Sequence, residues 1–371
     1  MSGAFARNKD RTPAPPKRIN SPRRILIIRD GRVGDMLMMT PVVRWLADRY
    51  PGARMDVLAG PYGRAMLACH PAIGEVIVYD KGASALARLG IVARLWHRYD
   101  LAVVLESTSS YVVLSWLIGA KYRIGISGRM NALLNYRYKW NHDLHTILNN
   151  LNVLAPLMAG VGSATTEMEL HLTENDTAAA GRFLDTHGVG GDDRVVFIQP
   201  GCGPNELLRP WPPDRVAGLA DMVVEKLGAK VIFNAGPNEW ETVDRVARLS
   251  TGGIIVNDTD LRTTAALIGR ASAVVTPDTG TLHVARALGT PVVALFGPSS
   301  PANYGPIGDK GRSTTVDKRF PCSPCVFSPP SPQRMKCLAQ GGADCMQAIP
   351  VDEVFACLAK AMLGDEDAQE G

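Results

Sequence analysis

The chain has 371 residues, 46% of them hydrophobic and 20% charged, with a formal net charge of +4. That length exceeds one ordinary core and predicts two domains, while the absence of roughly 18 uninterrupted apolar residues excludes an evident membrane-spanning helix. Seven cysteines and no apolar secretion core near the N-terminus point to reduced thiols and a cytoplasmic protein.

The first segment, residues 1–23, reads as a disordered basic arm. Residues 1–24 carry seven Lys/Arg against the single Asp10, interleaved with Pro13, Pro15, Pro16 and Pro22. This arm is more positive than the whole chain, so the remaining body is slightly acidic and gives no case for nucleic acid. The arm suits either solvation or attraction to anionic lipid head groups.

Strands and helices then alternate, which predicts parallel sheets with crossover helices. Strand Ile25–Ile28 leads through Gly31 and Gly34 to a helix over Asp35–Tyr50, followed by strand Met55–Ala59 and a short helix near Tyr62–Cys69. Strand Glu75–Tyr79, helix Ala83–Arg98, strand Leu101–Leu105, helix Tyr111–Ile118 and strand Arg123–Ile126 come next. The stretch Asn131–Asp143 looks irregular, helix Leu144–Met158 follows, and the polar segment Met168–Asp176 reads as a linker.

The second half restarts the pattern with helix Thr177–His187, strand Val195–Gln199, helix Pro213–Leu227, strand Lys230–Asn234 and helix Glu239–Leu249. Strand Ile254–Asn257, helix Arg262–Arg270, strand Ala273–Thr276, helix Thr281–Leu288 and strand Val292–Phe296 continue it. A Pro/Ser/Cys-rich loop precedes a last helix, Asp352–Met362. The fold class is therefore α/β: two Rossmann-like, doubly wound domains facing each other across a cleft. The boundaries are 24–170 and 171–350, with a C-terminal helix and acidic tail at 351–371. Ligands in such sheets bind beyond the carboxyl ends of the strands, so the informative residues should follow strands.

The strongest such turn is Pro277-Asp278-Thr279-Gly280-Thr281-Leu282-His283, where a buried strand gives way at once to a helix. Free N–H groups at a helix start attract an anion. Gly280 lets a phosphate approach the backbone, Asp278 or Thr279 serves as N-cap, and His283 falls on the first turn. No G-x-G-x-x-G follows a strand, which disfavours a dinucleotide oxidoreductase. Gly305–Gly311 lacks the Gly-Lys-Ser/Thr ending of a P-loop.

These residues carry a resemblance. Pro277–Ser299 (P-D-T-G-T-L-H-V-A-R-A-L-G-T-P-V-V-A-L-F-G-P-S) resembles the donor-site signature of the family nine glycosyltransferases, the lipopolysaccharide heptosyltransferases. Ile25–Leu46 (I-L-I-I-R-D-G-R-V-G-D-M-L-M-M-T-P-V-V-R-W-L) is similar to their N-terminal signature. Val196–Gly201 followed by Arg209-Pro210-Trp211-Pro212 resembles a third landmark, in the same order along the chain.

The resemblance implies a GT-B architecture, with the acceptor on the N-terminal domain and the sugar nucleotide on the C-terminal one. It implies metal-independent, inverting transfer of a heptose from ADP-heptose to a lipid-linked glycan acceptor, with no cofactor. Asp35 matches the general-base position, and Gly34 would bring the backbone close to the acceptor. The family's lysine before Trp-Pro is replaced here by Arg209, whose planar fork also suits a diphosphate. Asp278, Thr279, Gly280, Thr281 and His283 would bind the donor, with Glu239 at its ribose. Arg123, Arg137 and Lys139 would meet a phosphorylated acceptor or an anionic membrane surface. A family-nine-like transferase using another nucleotide-sugar is the alternative, and a noncatalytic nucleotide-sugar-binding protein of the same fold a more distant one.

Cysteines gather late, at Cys322-x-x-Cys325, Cys337 and Cys345, with 11 and then 7 residues between the last three. That is not a zinc-ribbon spacing. They read as loop thiols, with a metal site or a disulfide as the alternatives.

Overall fold

The computed structural model describes residues 21–158, 164–203, 207–236, 239–308, 313–325 and 331–363. The basic arm, apart from its last residues, and the acidic tail lie outside the described residues. The chain divides into two compact units between His171 and Leu172.

The first unit runs β1 (Arg24–Arg29), α1 (Val33–Met38), α2 (Thr40–Arg49), β2 (Arg54–Ala59), α3 (Pro61–Leu67), β3 (Glu75–Val78) and α4 (Ala85–Leu95). It continues with β4 (Leu101–Val104), α5 (Ser109–Leu117), β5 (Tyr122–Ile126), β6 (Tyr136–Tyr138) and α6 (Thr146–Asn152). All six strands are parallel, in the order β3-β2-β1-β4-β5-β6. Ile25, Leu26, Ile27 and Ile28 are fully buried, as a central parallel strand covered on both faces requires.

The second unit begins with α7 (Glu174–Thr186), β7 (Val195–Ile198), α8 (Pro213–Leu227), β8 (Lys230–Asn234), α9 (Trp240–Leu249), β9 (Ile254–Val256) and α10 (Leu261–Arg270). β10 (Ala273–Pro277), α11 (Gly280–Leu288), β11 (Val292–Phe296), α12 (Pro301–Tyr304) and β12 (Ser313–Asp317) follow. α13 (Pro332–Ala339), α14 (Asp344–Gln347) and α15 (Val351–Leu363) complete it. Its sheet order is β12-β11-β10-β7-β8-β9, which is the topology of the first sheet repeated. Each is the doubly wound order with a reversal beside the first strand, between β1 and β4 and between β7 and β10.

Several elements differ from the sequence reading, each for a local reason. The single helix expected over Asp35–Tyr50 is broken at Met39. Pro41 has no N–H to donate to Leu37, and the hydroxyl of Thr40 takes that carbonyl at 2.8 Å instead. The stretch read as irregular contains β6, an edge strand. The loop after Phe296 contains β12, whose β-branched Thr314, Thr315 and Val316 pair with β11. The end of the expected linker is already helix: Thr173 and Asp176 form a reciprocal capping box that starts α7. Its earlier part is pinned to the first unit, where the Glu169 N–H donates to Thr40 Oγ1 at 2.9 Å and Arg44 Nη1 lies 3.2 Å from Glu169 Oε1. The last helix, set apart at residue 351 in the sequence reading, belongs to the second unit's core through Val354 and Leu358.

In the second unit Arg262 grips Asp176 from Nε at 3.1 Å and from Nη2 at 2.5 Å, with both side chains mostly buried. The guanidinium holds the Asp176 carboxyl down to about 2 against the opposing effect of burial. A depressed carboxylate stabilises the fold above its ordinary value and loses that contribution as pH falls through its folded value. Asp176→Ala is expected to cost about 3 kcal/mol at neutral pH, because it strands a buried guanidinium. Urea unfolding measures it, and a loss under ~1 kcal/mol would class the pair with ordinary surface bridges.

Candidate functional site

In the first unit the chain leaves β1 as Arg29-Asp30-Gly31 and enters α1, while β4 ends beside it at Leu105-Glu106. Arg29 is the hub, 10% exposed in its side chain. Its Nη2 donates to Asp35 Oδ1 at 2.6 Å, its Nη1 donates to the Leu105 carbonyl, and the same nitrogen lies 3.6 Å from Glu106 Oε1. Asp35 Oδ2 also accepts the Arg32 backbone N–H at 3.0 Å. The carboxylate is thus aimed by two donors yet remains 31% exposed at its side chain, available to a ligand. Gly31 makes the turn possible, since a Cβ there would come within 2.5 Å of the Asp35 Cβ.

Glu106 completes the group. It accepts the Asp30 N–H at 3.2 Å, and its side chain is 16% exposed. Burial pushes its carboxyl up to about 7; Arg29 opposes that shift, and the negative charges of Asp35 and Asp30 reinforce it. Asp30 is half-buried, and Lys81 at 2.9 Å helps to hold it below the ordinary carboxylate range against the opposing effect of desolvation. Three carboxyl groups and two cations therefore meet at the carboxyl ends of β1 and β4. Gly34 lies buried in the first turn of α1, supporting that turn from within.

In the second unit the Pro-Asp-Thr-Gly turn leads from β10 into α11. Arg209 Nη1 donates to the Asp278 carbonyl at 2.9 Å and lies 3.7 Å from Asp278 Oδ2, with both side chains largely buried. Thr279 is the N-cap residue, but its side chain does not cap the helix. Its hydroxyl bonds that of Thr276 at 2.9 Å. The side-chain cap expected at this turn is therefore corrected: the N-cap position belongs to Thr279, which makes no such bond, and Gly280 stands at the helix start. His283 is buried on the first turn.

A polar network ties this helix start to the neighbouring strands. Gln199 Oε1 accepts Thr281 Oγ1 at 3.0 Å and Asn234 Nδ2 at 2.6 Å, while its Nε2 donates to Glu239 Oε2 at 3.1 Å. Glu239 also accepts the Gly236 N–H at 2.7 Å and the Gly203 N–H. These three donors hold the glycine turns after β7 and β8 together and leave the carboxylate room for one further donor.

The expected acceptor residues separate. Arg123 donates Nε to the Leu133 carbonyl at 2.6 Å and Nη1 to the Ala120 carbonyl, so its fork ties together the turns on either side of β5. Arg137 sits half-buried on edge strand β6 and Lys139 is exposed just beyond it. They do not join the Asp35 group, because β5 lies between β6 and β4.

Cys322, Cys325, Cys337 and Cys345 line one small cavity with Phe320 and Leu208, all as free thiols. Burial raises Cys325 and pushes Cys345 up to about 11, the behaviour of protonated thiols. Among the described residues the one trio with ligand atoms in mutual reach is His70, Glu169 and His171. His70 Nδ1 accepts the Ala72 N–H at 3.2 Å, and its Nε2 lies 3.2 Å from Glu169 Oε2, which His171 Nε2 also meets at 3.3 Å.

Sequence reasoning missed Arg29, Asp30, Lys81, Glu106 and Gln199. Position was the available signal: Asp30, Glu106 and Gln199 each stand just after a strand in the doubly wound pattern, beside the reversal.

The family described as Glycosyltransferase family 9 (heptosyltransferase) matches residues 90–335. A curated relative, lipopolysaccharide heptosyltransferase 2 of Salmonella typhimurium, is 28% identical over 307 residues, covering 78% of this chain and 87% of that protein. A glycosyltransferase family 9 crystal structure from Veillonella parvula superposes with a TM-score of 0.77 at 24% identity, covering 92% of this chain and 97% of that one. The structure of E. coli ADP-heptose LPS heptosyltransferase II gives 0.73 at 23% identity, covering 92% and 98%. Both structural likenesses are likenesses of fold.

The raised Glu106 makes a testable contribution to stability. Folded protein keeps a proton that the unfolded chain has released above the ordinary value of 4.5, so stability falls as pH rises from there to about 7. Glu106→Gln removes this dependence. Urea midpoints for the two proteins should diverge in the variant's favour between these pH values, and superimposable pH profiles would show that Glu106 is ionised throughout.

Proposed function

The chain belongs to glycosyltransferase family 9, and from that membership we propose that it moves a heptose from ADP-heptose to a lipid-linked lipopolysaccharide-core acceptor, with inversion at the anomeric carbon. It is a glycosyltransferase built on two Rossmann-like units of the GT-B fold. The observation that supports the finer reading is the Asp35 carboxylate, aimed by Arg29 Nη2 and the Arg32 N–H and still open at its side chain.

In this reading the acceptor hydroxyl attacks the anomeric carbon opposite the diphosphate. The C–O bond to ADP breaks as the new glycosidic bond forms, and Asp35 takes the hydroxyl proton. Arg29 holds Asp35 in place, and Glu106 stands on the other side of the same guanidinium. The negative charge that develops on ADP meets Arg209 and the N–H groups at the start of α11. Thr279, Gly280 and Thr281 line that approach, and Asp278 and His283 support it from beneath. A ribose hydroxyl would supply the fourth hydrogen bond to Glu239. Arg137 and Lys139 suit the phosphorylated part of an acceptor, and the basic arm suits an anionic membrane. We place the enzyme in the cytoplasm, working at the inner face of that membrane.

Asp35→Asn keeps the shape and removes the base. Turnover with ADP-heptose and a core acceptor, followed by mass spectrometry of the product, should fall by roughly 10²–10⁴. The affinity for ADP, measured by calorimetry, should stay unchanged. A variant of near wild-type rate would leave Asp35 with a structural role only, accepting the Arg32 N–H at the start of α1. A product formed only from another nucleotide-sugar would remove the heptosyl assignment.

A further inference from the structure

Helix α4 has the sequence A-L-A-R-L-G-I-V-A-R-L, yet Leu95 is the one residue it buries. Leu86 is 80% exposed and Leu89 63%, and Ala85, Ala87, Gly90 and Ala93 are exposed around them. Positions 86, 89, 93 and 96 recur at helical spacing, so they form one stripe ending in Trp96, itself 58% exposed. The His97 N–H donates to the Ile118 carbonyl at 2.7 Å, which joins the ends of α4 and α5. That junction brings Trp116 and Leu117, also exposed, beside the stripe. An apolar helix left facing water in this way calls for an occupant.

We infer that the outer face of α4, with Trp96, Trp116 and Leu117, docks the enzyme on an anionic lipid bilayer. The inference rests on the reading of the acceptor as lipid-linked.

Charge favours that occupant. Between Asp80 and Asp100 stand Lys81, Arg88, Arg94 and Arg98 without an acid, and between Glu106 and Asp143 stand Lys121, Arg123, Arg129, Arg137 and Lys139, again without one. Lys81 pairs with Asp30, Arg94 with Glu75, and Lys121 lies 3.8 Å from Asp100. Arg88 and Arg98 form no ion pair among the described residues. Long cationic stems beside exposed Leu, with Trp at the margin, match an interface between head groups and acyl chains. Size argues against a second copy of the chain. A helix of this length is about 16 Å long and ~10 Å wide, a few hundred Å² of surface at most. A stable dimer takes roughly 800 Å² from each partner.

The test is flotation of the full chain with vesicles of phosphatidylglycerol and phosphatidylethanolamine, in high salt to suppress the basic arm. The variant carries Leu86→Ser and Leu89→Ser, both at exposed positions, with circular dichroism as the folding check. Its partition should fall about tenfold or more, while transfer to a soluble, deacylated acceptor is unchanged. Brominated lipid should quench the wild-type tryptophan fluorescence and quench less in a Trp96→Phe, Trp116→Phe variant. Unchanged flotation of the serine variant overturns the proposal, and so does unchanged flotation with loss of a dimer in light scattering. If docking depends on α4 and yet no product forms from any donor, the heptosyl reading falls while the docking face stands.

Discussion

Both units depend on one topological constraint, the reversal of strand order in a parallel sheet. From β1 the connections run outward through β2 to β3, and from β4 they run the other way through β5 to β6. Right-handed crossovers then put the helices after β1 and β4 on opposite faces of the sheet. Between their starts lies the crevice in which such sheets bind ligands. The second sheet repeats this with β7 and β10. The chemically informative residues gather at these two reversals because parallel strands deliver their carboxyl ends, and the loops that follow, to a common edge.

The two crevices share a shape but not an electrostatic character. In the first unit, Asp30, Asp35 and Glu106 crowd around Arg29 and Lys81, and the buried Glu106 yields by rising to about 7. Like charges that close cannot all be ionised cheaply in a partly dry site. The guanidinium lets Asp35 stay aimed and half-open while its neighbour absorbs the strain. In the second unit the centre is a neutral amide, Gln199, which donates to Glu239 and accepts from Thr281 and Asn234. Arg209 and the start of α11 then contribute the positive potential. The first environment suits the proton acceptor proposed at Asp35, and the second suits the departing diphosphate proposed at the start of α11.

Much of this was legible in the sequence. The strands are apolar runs bounded by glycine and proline, and the residues after Ile28 and Thr276 announced themselves through Asp35 and Asp278. What was not legible depended on partners distant in sequence. Nothing local says that Arg29 reaches both Asp35 and Leu105, or that Glu239 closes over Gly203 and Gly236. Arg123 looked like a surface cation until the carbonyls of Ala120 and Leu133 claimed it. The break at Met39 was readable from Pro41, but the apolar periodicity on either side masked it. β12 was hidden because three β-branched residues followed a glycine-rich loop, and only pairing with β11 makes them a strand.

The apolar stripe on α4 has a bearing on the crevice beside it. Lys81, in the loop between β3 and α4, is tied to Asp30 at 2.9 Å, so α4 starts at the same sheet edge that carries Asp35. From there it runs down the unit to Trp96, one residue before the bond to Ile118. Its burial is slight, with Ile91 and Val92 half-covering the core and Leu95 sealing it. Few contacts hold such a helix, which places it among the least protected parts of the unit. A surface that takes up Leu86 and Leu89 would add apolar burial to a helix that has little of it. Through Lys81 that added order reaches Asp30, and through the Asp30 N–H it reaches Glu106. In the proposed reaction, a lipid-bound acceptor and the group that orients Asp35 would then be fixed by the same event.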